Sequence, residues 1–116
     1  MKILLVDDDE ELLIVFEQFL TNVGHTIAGK ARNGLEAVKL VQSLHPQATP
    51  DVLIIDYRMP VKNGIEAIKE IFDITKDIKI IMISADPRIR QDSLNVGVAH
   101  FLPKPFSMRQ LVKTIG

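Results

Sequence analysis

Three stretches of this chain carry apolar, mostly β-branched or Leu residues without a polar break, and each closes on a residue able to do chemistry. Ile3 to Val6 closes on the acidic run Asp7-Asp8-Asp9-Glu10-Glu11, Val52 to Ile55 on Asp56, and Ile80 to Ile83 on Ser84. Runs of this kind suit strands covered on both faces, as in a parallel sheet with helices above and below. Two shorter, less apolar stretches, Thr26 to Ala31 and Ala99 to Leu102, read as further strands, the first nearer a sheet edge. Between the strands the period lengthens to that of helices. The first helix carries the stripe Leu12, Phe16, Phe19, Leu20 and Val23 and stops at Gly24. Asn33 caps a second, with Leu35, Val38, Val41 and Leu44. Ile65, Ile68, Ile71 and Phe72 line a third. Asp86-Pro87 opens a fourth with a poor stripe of Ile89, Leu94 and Val96, ending near Gly97. Ser107 and Gln110 form a capping box for a fifth, which carries Met108, Leu111, Val112 and Ile115. Residues 45–50 form a loop, because Pro46 and Pro50 suit neither helix nor sheet interior. Pro60 and Asn63-Gly64 mark another.

Five strands alternating with five helices predict an α/β fold: a doubly wound parallel sheet with right-handed crossovers and helices on both faces. No repeat or internal boundary divides the chain, so residues 1–116 read as one domain. Composition narrows the function. At 47% hydrophobic and 25% charged residues the chain is an ordinary globular protein. A net charge of −1 supplies no field to recruit nucleic acid or an anionic membrane. The absence of cysteine removes disulfide and thiolate chemistry. The N-terminal apolar run is too short for a signal peptide or a membrane span, which makes the cytoplasm the default. His25, His45 and His100 are scattered and lack zinc-ligand spacing.

In a parallel sheet every strand ends at the same edge, and open α/β sheets bind ligands there. Asp7 and Asp8, Asp56, Ser84 and Lys104 therefore converge. Three carboxylates at short range repel one another unless a cation sits among them. Hard oxygen ligands suit Mg²⁺, which keeps several waters and accepts one or two carboxylates plus phosphate. Lys104 adds a fixed positive charge, and the set suits phosphoryl transfer with Asp56 as the carboxylate nucleophile. Taken singly, each residue has a plain structural reading. Asp8 and Asp9 suit a helix start, Asp56 a loop start, Ser84 a turn and Lys104 the surface. Their joint arrival at one edge favours the chemical reading.

With these residues in place, the sequence resembles the response-regulator receiver domains of two-component signalling over essentially its whole length. The matching motifs are Asp7-Asp8, Asp56 followed by Met59-Pro60 and Gly64, Ser84-Ala85, and Lys104-Pro105. The resemblance implies a flavodoxin-like sheet of order 2-1-3-4-5. It implies that Asp56 takes a phosphoryl group from a phosphohistidine on a sensor histidine kinase or phosphotransfer protein. It also implies a domain that catalyses only its own phosphorylation and dephosphorylation. Asp8 would bind Mg²⁺ directly and Asp7 through water, with Asp56 and the Arg58 carbonyl as further ligands. Lys104 would pair with the phosphate ahead of a cis Lys104–Pro105 bond. Ser84 and Phe101 would be the switch pair that carries the signal to the surface of the fourth helix, fifth strand and fifth helix, and so to a downstream effector. Phe101 stands where the family often has Tyr, so it lacks a hydroxyl for a partner.

The resemblance also makes Arg58 and Asp86 positions that tune phosphate lifetime, and an Arg58–Asp86 pair is expected to form a partial lid over the phosphoryl group; Asp86 has a rival role as the cap ahead of Pro87. Gly97-Val98-Ala99-His100-Phe101 lacks the acidic pair that many DNA-regulating receivers use in a symmetric dimer, which leaves a monomer or weak dimer. Three other readings fit less well. A haloacid-dehalogenase-type phosphatase wants a second acid two positions after its nucleophile, where this chain has Arg58. A flavodoxin-like nucleotide binder needs a first loop that cradles phosphate, and Asp7-Asp8-Asp9 would repel it. A phosphorylation-independent interaction module on the same fold would have no use for the intact acid, Ser and Lys set.

Overall fold

A computed structural model describes all residues, Met1–Gly116. The elements run β1 (Lys2–Val6), α1 (Glu10–Asn22), β2 (Thr26–Ala31), α2 (Gly34–Leu44), β3 (Val52–Asp56) and α3 (Gly64–Ile74). They continue with β4 (Lys79–Ser84), a 3-10 turn (Pro87–Ile89), α4 (Arg90–Val96), β5 (His100–Pro103) and α5 (Met108–Ile115). All neighbouring strands pair in parallel, in the order β2-β1-β3-β4-β5. This is the expected doubly wound sheet, with β2 at one edge.

Strand residues alternate between two cores, as the period of two requires. Leu4, Val6, Leu53, Ile55, Ile80 and Met82 pack beneath α2, α3 and α4. Ile3, Leu5, Val52, Ile54, Ile81 and Ile83 pack beneath α1 and α5. The three central strands are thus buried on both faces, which explains their unbroken apolar runs.

The helix faces differ from the sequence expectation in an instructive way. In α1 the buried residues are Leu13, Phe16 and Leu20, while Phe19 and Val23 are exposed. Leu12, Val15, Phe19 and Val23 form a second stripe beside the core stripe, and both are apolar. The expected set mixed the two, and helical spacing alone does not say which one faces the sheet. In α2 the small residues Gly34 and Ala37 face inward with Val38 and Val41, while Leu35 is exposed. In α3 Gly64 and Ala67 join Ile68 and Ile71, leaving Ile65 and Phe72 half-buried. A Cβ on residue 34 would run into the Lys62 backbone and one on residue 64 into the Asp56 carbonyl, which selects glycine at both points.

The fourth helix is shorter than expected because it opens as a 3-10 turn on Asp86-Pro87. Leu94 is exposed, and buried Ser93 takes the inward position by donating its hydroxyl to the Ile89 carbonyl at 2.7 Å. The helix ends on Gly97, whose φ of 109° is the left-handed geometry glycine adopts without strain. β5 begins at His100 rather than Ala99, although Ala99 N–H still donates to the Ile80 carbonyl at 2.8 Å. The Lys104–Pro105 bond is cis, as is His45–Pro46.

Candidate phosphoryl-acceptor site

Asp56 is the last residue of β3 and is only 7% exposed. The chain beyond it is held on both sides. Tyr57 N–H donates to the Ile83 carbonyl at 3.1 Å, and Gly64 N–H closes the loop onto the Tyr57 carbonyl at 2.8 Å. A Cβ on residue 64 would lie 2.7 Å from the Asp56 carbonyl, so only glycine lets α3 start this close to the acid. Asn63 caps α3 in a reciprocal box with Glu66, which anchors the far end of the loop. Within the loop, Lys62 N–H donates to the Pro60 carbonyl at 2.7 Å around Val61, whose φ is 69°. That is a γ-turn in the strained sense for a β-branched residue, and Val61 is 76% exposed.

Two other strand ends bring their groups to Asp56. Asp7 N–H donates to the Ala31 carbonyl at 3.0 Å, continuing β1 past its last residue. One Asp7 oxygen accepts the Asp9 N–H at 2.9 Å. Asp9 itself accepts from the Glu11 and Leu12 N–H groups, so it is the cap of α1 and takes no part in the cluster. Asp7, Asp8 and Asp56 each offer an oxygen, all within 4.8 Å of one another, with Asp8 the exposed member. From the opposite side, Lys104 Nζ lies 3.4 Å from Asp56 Oδ1. Its backbone N–H is tied to the Ser84 carbonyl at 2.9 Å, which fixes the lysine to the end of β4.

Electrostatics follow from this packing. Burial above all raises the Asp7 carboxyl from 3.8 to about 6; the Asp9 N–H offsets part of that, and Asp56 adds to it. Burial also raises Asp56, and the Lys104 ammonium offsets part of the cost. Two buried carboxyls held above their ordinary range beside a third acid are a donor set short of positive charge. A hard divalent cation fits it: three carboxylate oxygens from two neighbouring strand ends, one of them open to water.

Ser84 ends β4 and is buried. Its Oγ accepts the Asp86 N–H at 3.0 Å, which leaves the hydroxyl proton free for another acceptor. Phe101 pairs with Met82 across β4–β5 and is half-buried against the α2–α4 core. Asp56, Ser84 and Lys104 line one cleft, together with Arg58, Asp86 and Arg88 at its rim.

Arg58 and Asp86 are together, at 3.7 Å, but Asp86 has a nearer partner. Arg88 Nε and Nη2 donate to its two oxygens at 3.0 Å each, and the Arg88 backbone N–H donates at 2.9 Å. Arg88, first by its side-chain bonds, lowers Asp86 to about 2. The sequence reading missed Arg88. The signal was present in Asp86-Pro87-Arg88, where the turn that an N-cap and proline impose returns the second following side chain to the cap.

Comparison with known proteins identifies the family. The family model for the response regulator receiver domain matches residues 3–116. Chemotaxis protein CheY of Thermotoga maritima is 34% identical over 98% of this chain and 93% of its own length. Transcriptional regulatory protein CpxR of Klebsiella pneumoniae is 37% identical over 98% of this chain, which spans only 47% of that relative. Among solved structures, the CheX-CheY-BeF3-Mg²⁺ complex of Borrelia burgdorferi superimposes with a TM-score of 0.91 at 28% identity, covering 99% of this chain and 86% of that one. A buried acid at the end of the third strand, a matching fold and a family match over nearly every residue lead to one conclusion: this chain belongs to the response-regulator receiver-domain family.

Proposed function

We propose that residues 1–116 form a phospho-acceptor unit in which Asp56 takes a phosphoryl group from a phosphohistidine on a sensor histidine kinase or phosphotransfer protein. One observation carries this reading: the Asp7, Asp8 and Asp56 oxygens cluster within 4.8 Å while Lys104 stands 3.4 Å from Asp56 on the other side. An Asp56 oxygen attacks phosphorus as the phosphorus–nitrogen bond to histidine breaks, and the bonding pair leaves with the imidazole. Asp7, Asp8 and Asp56, with the Arg58 carbonyl, would hold Mg²⁺, which when bound supplies charge neutralisation for the phosphoryl oxygens. Lys104 offsets charge on the same oxygens, and the Ser84 hydroxyl donates its free proton to one of them. Movement of Ser84 towards the phosphoryl group, with Phe101 turning inward, then alters the α4–β5–α5 surface that an effector reads. Acetyl phosphate with Mg²⁺ should add one phosphoryl group, seen by intact-mass spectrometry. Excess chelator or Asp56→Asn should abolish it, and undiminished labelling in either control would overturn the assignment.

The Arg58–Asp86 pair reads as a partial lid against the water that hydrolyses the acyl phosphate. Arg58 is largely exposed, and exposed pairs are weak, so Arg58→Ala should speed dephosphorylation by at most about fivefold. Decay of the labelled protein measures this. A rate equal to or slower than that of the unsubstituted protein would leave Asp86 as a cap alone.

A further inference from the structure

At the rim of the cleft two arginines meet on one carboxylate, that of Asp86. Asp86 has two carboxylate oxygens, and both are taken by the guanidinium of Arg88 at 3.0 Å. Arg58 approaches Oδ2, the oxygen Arg88 Nη2 already uses, at 3.7 Å. A bidentate arginine–carboxylate fork is the stronger and more directional arrangement, so a second arginine is held to the margin. The two arginines also come from different places. Arg58 follows Asp56 by two residues on the β3 loop, whereas Arg88 sits on the 3-10 turn it shares with Asp86. A pair within one turn fixes nothing across the cleft. The Arg58–Asp86 contact, by contrast, joins the β3 loop to the turn after β4.

We propose that Arg88 is a positioning residue that competes with Arg58 for Asp86 and so holds the cleft open to water. The inference rests on the acceptor reading of Asp56 and deepens it, because it names what limits the lid. Without the Arg88 side chain, Asp86 Oδ2 loses its guanidinium partner and Oδ1 keeps only the backbone bond, so the bridge from Arg58 across the cleft tightens. The cap is untouched by that change, since the Arg88 backbone N–H still donates to Asp86 Oδ1 at 2.9 Å. Arg88→Ala therefore separates competition from folding.

The test combines two readouts on Arg88→Ala, Arg58→Ala and the double variant. In unphosphorylated protein labelled with ¹⁵N-arginine, Arg88→Ala should shift the Arg58 side-chain signal and slow its exchange with water. After labelling with acetyl phosphate and Mg²⁺, Arg88→Ala should lose phosphate about two- to threefold more slowly than the unsubstituted protein, and the difference should shrink in high salt. The double variant should decay like Arg58→Ala. Unchanged or faster decay in Arg88→Ala overturns the proposal, as does equal slowing when Arg58 is absent. Should the unsubstituted protein take no phosphoryl group, the acceptor reading fails, and the arginine signals alone decide whether the two side chains compete.

Discussion

Without metal, the protein is expected to become more stable as the pH falls from neutrality towards about 5. Acid usually destabilises a fold by protonating its paired carboxylates, and the opposite trend here comes from the acid cluster. Asp7 is 3% exposed, and burial lifts its folded-state value from 3.8 to about 6. Between those two values the folded chain binds more protons than the unfolded one, so protonation favours folding. A raised carboxyl of this kind costs the ionised fold at most about 3 kcal/mol. Asp56 is shifted in the same direction. Asp86 acts with the opposite sign, but its lowered value of about 2 confines its loss to pH below 3.8. Each kcal/mol moves the melting midpoint of a domain this size by roughly 4 °C, so chelated protein should melt several degrees higher at pH about 5 than at neutrality. Asp7→Asn should raise the neutral-pH midpoint and flatten the profile. Saturating Mg²⁺ should do the same, because it favours the ionised carboxylates. A midpoint that falls steadily on acidification without metal would mean that the cluster is not charge-poor.

Ser84→Ala should separate phosphorylation from its consequence. The substitution leaves the acid cluster and Lys104 in place, so Asp56 should still be labelled. It removes the only hydroxyl lining the cleft and the acceptor that holds the Asp86 N–H at 3.0 Å. Ser84 is also the residue whose carbonyl receives the Lys104 N–H, which puts it at the junction of β4 and β5. Phosphate-induced chemical-shift changes over residues 88–113 should largely disappear in the variant. A response matching that of the unsubstituted protein would route the coupling through other residues.

The sheet was legible in the sequence because its central strands are buried on both faces, and nothing but unbroken apolar runs satisfies that demand. The same runs located Asp7, Asp56 and Ser84, since a polar residue that ends such a run lies at the sheet edge. Helix faces were less legible. In α1 two apolar stripes lie side by side, and periodicity does not distinguish the one holding Leu13 from the one holding Phe19. In α2 and α3 the inward positions go to Gly34, Ala37, Gly64 and Ala67, which a search for large apolar residues passes over. Ser93 was hidden for a related reason, because its polarity is cancelled only by the Ile89 carbonyl one turn back. At the site, groups fixed by strand ends were readable, whereas the partners of Asp86 depend on how a 3-10 turn folds. The sequence suggested Arg58 from across the cleft, and the nearer partner is Arg88.

The most direct test of the central claim is to locate the phosphoryl group. Borohydride reduces an aspartyl phosphate to homoserine, so protein treated with acetyl phosphate and Mg²⁺ can be reduced, digested and mapped by mass spectrometry. The account predicts homoserine at position 56 alone, absent when Mg²⁺ is chelated. Homoserine at Asp7 or Asp8 with Asp56 intact, or a modification at position 56 that is indifferent to chelation, would contradict it.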